Sequence, residues 1–398
     1  MDLHTRYSQF CRGLKAKSEW RELTVFDPSG PGQIRRGVED LINFSSNDYL
    51  GLSRSRQLRM RAISFAQQYG AGSTASRLMT GNLRFFDDVE SKLAAAIGTE
   101  SVLIFNSGYQ ANATILAALM DRAVLGMDAV VFADRLNHNS LIKGVQLAGA
   151  EMQRYRHLDL NHLESILEKS KDRKIARFIV SETLFGMDGD CADIPALIAL
   201  AKKYDAFLFL DDAHAAGVLG KNGFGLAAEY ADDVDMIMGT FGKAYGSFGA
   251  YIACRRELRE YLINRCGGFM FSTALPPMVM GAVDAAIDMI PTLGLERAKL
   301  LANADYLRSA IKPLGIDCGQ SNAHIVPMIV GSADRTISMQ KQLEQNGVLA
   351  LAIRPPTVPS NTSRLRLSMT AAHSTAQVDQ LIEALYQIHK SARISVAA

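Results

Sequence analysis

Between Gly98 and about Pro291, short apolar runs alternate with longer amphipathic stretches. The runs are Ser101–Phe105, Ala129–Ala133, Ala176–Ser181, Ala206–Leu210, Asp235–Met238 and Gly249–Ala253. Several are apolar at successive positions, the pattern of strands buried on both faces. Ala111–Met120, Leu160–Lys169 and Ile194–Tyr204 lie between them with helical periodicity. This alternation predicts an α/β fold with a mostly parallel central sheet and helices on both sides. Beyond about Pro291 the pattern changes to a long helix, Leu295–Lys312, short strands at His324–Val330 and Leu365–Ser368, and a closing helix, Thr375–Lys390. That part reads as a smaller α+β domain. Ahead of the alternation, a helix leads into a connector around Asp27-Pro28-Ser29-Gly30-Pro31-Gly32. The expected organisation is therefore 1–50 as helix and connector, 51–290 as the large domain and 291–398 as the small one.

Composition narrows the function. Lys+Arg 43 against Asp+Glu 41 leaves a net charge of +2, no global excess with which to hold a polyanion, so no nucleic-acid partner is expected. The polar start Met1-Asp2-Leu3-His4-Thr5-Arg6 is not followed by an apolar segment, so no membrane association and a cytoplasmic location are expected. Five cysteines (Cys11, Cys191, Cys254, Cys266, Cys318) are scattered without a C-x-x-C pair, which speaks against a disulfide framework and against a metal site.

In open α/β sheets ligands bind beyond the carboxyl ends of the strands. Three such ends carry unusual chemistry. Ala206–Leu210 runs into Asp211-Asp212-Ala213-His214; the run ending at Met238 leads to Gly239-Thr240-Phe241-Gly242-Lys243; Ser101–Phe105 leads through Asn106-Ser107-Gly108-Tyr109 into a helix whose first amides suit an anion. Taken singly, a surface lysine, a packing histidine and a capping aspartate are the commoner explanations. Two look-alikes fail on context. Gly70-Ala71-Gly72-Ser73-Thr74-Ala75 fits a relaxed dinucleotide fingerprint but follows a polar helical stretch, and Gly242-Lys243 lacks the glycine spacing and hydroxyl of a P-loop. An aspartate, an imidazole, a lysine and a helix N-terminus around one crevice suit pyridoxal 5'-phosphate. A lysine amine links the cofactor, an acid keeps the pyridine nitrogen protonated, and amides and hydroxyls hold the phosphate.

The order and spacing of Asn43-Phe44-Ser45-Ser46-Asn47-Asp48-Tyr49-Leu50-Gly51-Leu52, Met187-Asp188-Gly189-Asp190, Asp211-Asp212-Ala213-His214 and Thr240-Phe241-Gly242-Lys243 resemble the α-oxoamine synthases over nearly the whole chain. These are fold-type I pyridoxal-phosphate-dependent transferases that join an amino acid to an acyl thioester and release CO2. The stretch Ala352–Pro359, with Arg364-Leu365-Arg366-Leu367 and Thr370-Ala371-Ala372-His373, most resembles the members that condense L-alanine with a pimeloyl thioester on the route to biotin. The thioester is carried by coenzyme A or by an acyl carrier protein. A carrier would seek a basic patch, for which Arg35-Arg36 and Arg255-Arg256 are candidates against ordinary surface charge. The resemblance implies that Lys243 carries the cofactor and serves as base, Asp211 pairs with the pyridine nitrogen, His214 reaches the phenolic oxygen and His138 stacks on the ring and meets substrate. Gly108, Tyr109 and Thr240 belong to the phosphate side. Ser272 and Thr273 reach the phosphate from a partner subunit, so a homodimer with shared active sites is expected. Arg366 is the candidate for the amino-acid carboxylate, because a guanidinium fork binds one in two parallel hydrogen bonds. Arg21, Asn47 and Thr357 align with other substrate contacts. Two positions depart from the family: Gly186 stands where a cofactor-binding serine is usual, and Phe85-Phe86-Asp87-Asp88 stands where a histidine is common. Sibling synthases using glycine or serine, or a longer acyl chain, share every cofactor residue, and a non-catalytic binding protein on the same fold is the alternative from another class.

Overall fold

The computed structural model describes residues 2–397, with side chains through 390. Its contacts divide the chain into two compact units, one of Met1–Tyr49, Met187–Asp190 and Ala298–Ala398, the other of Leu50–Gly186 and Cys191–Arg297. The N-terminal segment thus shares a unit with the C-terminal residues.

The second unit holds a seven-stranded sheet. Its strands are β1 (Ser101–Phe105), β2 (Ala129–Asp134), β3 (Glu151–Tyr155), β4 (Ala176–Glu182), β5 (Ala206–Asp211), β6 (Met236–Thr240) and β7 (Ala250–Cys254), in the spatial order β1-β7-β6-β5-β4-β2-β3. Every pair from β6 to β3 is parallel, while β7 runs antiparallel between β1 and β6. The six apolar runs read from the sequence are all strands to within two residues at each end. The edge strand β3, Glu-Met-Gln-Arg-Tyr, is the one the hydrophobic pattern does not show, because only Tyr155 of its five residues is buried. In β1, β2, β6 and β7 every residue is buried, as covering both faces of a sheet requires.

The main helices of this unit are α1 (Arg56–Tyr69), α2 (Arg84–Ile97), α3 (Gly108–Leu119), α4 (Asn139–Ala148), α5 (Leu160–Glu168), α6 (Ile194–Lys203) and α7 (Pro277–Met289). α3 and α4 lie side by side, and Gly144 is what lets them approach: a Cβ there would stand 2.6 Å from the Asn112 carbonyl oxygen. The close approach brings Ser140 on α4 beside Asn112 on α3, their side chains 2.9 Å apart. Phe85 and Phe86 at the start of α2 are fully buried, Phe85 against Phe65 and Tyr69 of α1, so these two phenylalanines are core.

In the first unit, Gln33–Arg36 and Glu39–Asn43 form an antiparallel ribbon joined by the parallel Val348–Leu349, and Ile325–Gly331, Ser363–Ser368 and Ala352–Ile353 form a second, antiparallel sheet. Arg35 is paired with Asp40 at 2.9 Å and Arg36 with Glu344 at 3.1 Å, so these arginines already have carboxylate partners. Ser363–Ser368 is buried at all six positions, which places both Arg364 and Arg366 inside, not on the surface.

Candidate active site

Parallel strands deliver their last residues to one rim of the sheet. Glu182 ends β4, Asp211 ends β5 directly opposite it in register, and Thr240 ends β6. The Asp211 carboxylate is 5% exposed and is held by two donors, the Asn112 side chain at 2.8 Å and the Ala213 amide at 3.0 Å. The same Asn112 amide group also donates to Ser140 Oγ at 2.9 Å. Ser140 Oγ lies 2.7 Å from His138 Nδ1, and the Ser140 amide donates to that nitrogen too, at 3.3 Å. Since Ser140 accepts from Asn112, its hydroxyl proton points to His138, whose Nδ1 is an acceptor. The neutral imidazole therefore carries its proton on Nε2. Burial lowers the His138 pKa below the ordinary histidine value and Lys243 lowers it further, against an opposing pull from Asp211.

Glu182 holds the backbone behind these groups. Its carboxylate accepts from the His138 amide at 2.6 Å and, at a longer 3.4 Å, from the Gly186 amide. Burial first, and the neighbouring Asp211 second, push its pKa up to about 8. Asp212 is raised to about 7, chiefly by burial, and its oxygens accept from Thr183 and from the Leu226 and Ala227 amides.

Lys243 follows β6 in a loop closed by backbone bonds from Phe241 to Gly249, Ser247 to Phe241 and Gly246 to Lys243, each 2.9 Å. It is near enough to His138 and Glu182 to influence both. On the other side, Ser107 caps α3 by accepting from the Gln110 amide. Gly108, the first residue of α3, packs so closely on Thr240 that a Cβ would meet the Thr240 methyl at 2.7 Å. Thr240 Oγ1 is buried without a hydrogen-bond partner. An orphaned hydroxyl against a helix N-terminus is what a phosphate would satisfy, and a buried acid beside an imidazole suits a protonated pyridine ring, so these residues fit pyridoxal phosphate. Tyr109 is half exposed, its ring roughly perpendicular to that of His138. Ser272 and Thr273 are tied to the same helix start within one chain: Gln110 donates to Ser272 Oγ at 2.5 Å and Asn106 to the Thr273 carbonyl at 2.8 Å.

The remaining candidates belong to the other unit. Arg366 donates to Asn47 Oδ1 at 3.0 Å, Ser368 Oγ at 2.8 Å and the Tyr49 hydroxyl oxygen at 3.0 Å, all neutral acceptors. Its strand neighbour Arg364 donates instead to the Asp188 carboxylate at 2.5 Å. Arg21 and Thr357 are exposed and brought together, with the guanidinium 3.5 Å from Thr357 Oγ1 and 3.0 Å from the Pro355 carbonyl.

The family model for aminotransferases of class I and II matches residues 39–385. The chain belongs to this family. Within it, a protein of Gluconacetobacter diazotrophicus named 8-amino-7-oxononanoate synthase is 49% identical over 367 residues, 92% of each chain. A Magnetococcus marinus protein that bears the same name with a provisional qualifier is 51% identical over 371 residues, 93% of this chain and 94% of its own. Among solved structures, a serine palmitoyltransferase variant from S. paucimobilis with bound PLP-myriocin aldimine superposes with a TM-score of 0.90 at 25% identity, covering 98% of this chain and 99% of that one. The fold is that of the fold-type I pyridoxal-phosphate-dependent transferases, and the family's cofactor is pyridoxal phosphate. The resemblance to the α-oxoamine synthases read from the motifs holds across the chain.

Asn112, Ser140 and Glu182 are absent from the residues that sequence motifs single out. Glu182 alone left a trace, as an acid at the end of an apolar run.

Two outcomes test this arrangement. Ser140→Ala removes the donor that fixes His138 Nδ1 as an acceptor, so kcat/KM should fall about 10-fold, the worth of one or two buried hydrogen bonds. Losing that donor favours the protonated ring, so the acid limb of the pH profile should move to higher pH. For Glu182, the folded chain keeps a proton between pH 4.5 and about 8 that the unfolded chain has released. Stability of the cofactor-free protein should therefore fall as pH rises through this window, by at most ~1.4 kcal/mol per pH unit from this group. Chemical denaturation at pH 5.5 and 8 should show a smaller loss in Glu182→Gln.

Proposed function

We propose that the protein condenses L-alanine with a pimeloyl thioester to give 8-amino-7-oxononanoate, CO2 and the free thiol of the carrier. Identity of 49–51% over more than nine-tenths of the chain to relatives carrying that name is the observation on which this reading rests. Bound pyridoxal phosphate supplies an electron sink for the α-carbon of an attached amino acid. The residues of this chain supply the rest. Lys243 anchors the cofactor and removes the α-proton of alanine, and its closed loop limits the positions the amine can sample. Asp211 holds the proton on the ring nitrogen, His214 donates to the phenolic oxygen and His138 covers the ring face with its Nε2 proton available to the thioester carbonyl. Thr240 and the α3 amides of Gly108 and Tyr109 hold the phosphate. Arg366 binds the alanine carboxylate, with Asn47 beside it. Arg21 and Thr357 contact the acyl substrate.

The protein is further proposed to act as a cytoplasmic homodimer in which Ser272 and Thr273 complete the partner's phosphate site, with coenzyme A or an acyl carrier protein presenting the acyl chain. The likeness to serine palmitoyltransferase favours one second reading, a synthase for serine and a long acyl chain.

Thiol release measured across alanine, glycine and serine, each with pimeloyl-CoA and palmitoyl-CoA, separates the two. Alanine with pimeloyl-CoA should be preferred, with a product of the mass of 8-amino-7-oxononanoate; preference for serine with palmitoyl-CoA would replace the proposal by the second reading. Lys243→Ala should lose borohydride-trappable cofactor and lower turnover by at least the ~10²–10⁴-fold typical of a general base. Arg366→Ala should raise the KM for alanine about 10–100-fold, the range of a charged hydrogen-bond pair, with a smaller change in the KM for the thioester.

A further inference from the structure

The glycine-rich stretch 70–75 and the residues after it form a loop packed on the segment that carries Ser272 and Thr273. Thr74 is a β-branched residue at φ 60°, a backbone conformation such residues avoid, and a short ribbon keeps it there. The Ser73 hydroxyl donates to the Leu275 carbonyl at 2.7 Å, the Ala274 amide donates to the Ala75 carbonyl at 2.9 Å, and Ser76 bridges antiparallel to Thr273. Gly81 closes the loop from behind, where a Cβ would stand 2.1 Å from the Ala75 carbonyl oxygen.

Arg77 in this loop is buried, with 7% of its side chain exposed. Its guanidinium lies over two rings, 4.1 Å from the centre of Phe86 and 5.7 Å from that of Phe269. Phe86 belongs to the segment in which a histidine is common, and Phe269 to the short turn Gly267–Met270 that leads into Ser272. The Glu90 carboxylate on α2, also buried, accepts from both terminal nitrogens of Arg77, at 2.7 and 3.3 Å. Glu90 is itself fixed from two further sides, by the Ile104 amide of the edge strand β1 and by Arg259, each at 2.9 Å. A buried ion pair is weak evidence for stability, because desolvation offsets much of its attraction. What this pair does is tie the loop to α2. The 272–273 segment is thus gripped by the loop on one side and by Asn106 and Gln110 at the start of α3 on the other. Thr273 is nevertheless exposed and Ser272 half-buried, so both reach the surface of the chain.

We propose that Arg77 is a positioning residue for the active site of the other subunit: held on Glu90, it fixes the loop and Phe269 and thereby sets Ser272 and Thr273 where they complete the partner's phosphate site. The proposal rests on the homodimer with shared sites proposed above. Arg77 touches neither cofactor nor substrate, and its effect is felt across the dimer, not in its own chain's site.

The test uses hybrid dimers with a different affinity tag on each chain and reads the pyridoxal phosphate concentration that half-saturates borohydride trapping. Trapping needs Lys243, so a hybrid with one Lys243→Ala chain reports a single site. The first hybrid pairs Arg77→Met with Lys243→Ala, so the reporting lysine is completed by a chain with Arg77 intact. The second pairs Arg77→Met/Lys243→Ala with the unaltered chain, so the reporting lysine is completed by the altered one. Half-saturation in the first should match that of a hybrid with Lys243→Ala alone. In the second it should rise about 10-fold, the worth of one hydrogen bond to a charged group. Each hybrid holds one Arg77→Met chain, so a merely structural role lowers the thermal midpoint of both alike and shifts trapping in both alike. Equal half-saturation in the two hybrids, or a rise in the first alone, would overturn the proposal. Ser272→Ala/Thr273→Ala in place of Arg77→Met is the control and should act in the second hybrid only. If the control does so and Arg77→Met does not, the proposal alone falls; if the control does not, the shared site falls and the proposal with it. Should Arg77→Met not fold, Arg77→Met/Glu90→Gln, which removes both charges of the pair, replaces it with the same expectations. Misfolding of that variant as well would make the pair a folding element and overturn the positioning role. None of these readouts depends on which amino acid or thioester the enzyme uses.

Discussion

The structure around the candidate site depends on one constraint, the burial of three carboxyl groups at adjoining strand ends. Glu182, Asp211 and Asp212 are each at most 5% exposed. Three charges removed from water at such proximity would repel one another and forfeit hydration, so the fold distributes protons and donors among them. Glu182 and Asp212 have raised pKa values, and their oxygens accept from backbone amides and Thr183. Asp211 instead receives the side chain of Asn112, a donor that also reaches Ser140 and, through it, His138. Asp211 is thereby the carboxylate wired to the His138 imidazole.

That wiring explains how the helices behind the strand ends pack. Gly144 brings α4 against α3 so that Asn112 and Ser140 meet, and His138, as the N-cap of α4, is fixed at the end of the same helix. The Glu182 carboxylate holds the His138 amide from the strand side. The Asn112 amide nitrogen and the Ser140 hydroxyl are matched while Asn112 Oδ1 is left without a hydrogen-bond partner, and the order of donors leaves one imidazole tautomer.

Much of this was legible in the sequence, and the remainder was hidden for identifiable reasons. Six strands of the central sheet announced themselves because burial on both faces forces apolar residues at successive positions, whereas β3 is an edge strand and its polar residues conceal it. Asp211, His214, Thr240 and Lys243 were readable because strand ends concentrate chemistry at positions a motif can mark. Asn112 and Ser140 were not, because each sits inside a helix at an unremarkable spacing and acquires its partner only when α3 packs on α4.

The two arginines of Ser363–Ser368 show why residue type alone does not assign a role. Arg364 and Arg366 sit two apart on one face of a buried strand, and both guanidinium groups must be compensated. Arg364 is neutralised by Asp188, so a second carboxylate would find its charge already spent. Arg366 donates to an amide oxygen, a serine hydroxyl and a phenol. The Tyr49 phenol has its pKa raised, by burial above all, which keeps it neutral and prevents it from serving as a counter-ion. Two arginines of one buried strand thus differ in the partners the fold gives them, a carboxylate for Arg364 and at least three neutral oxygens for Arg366.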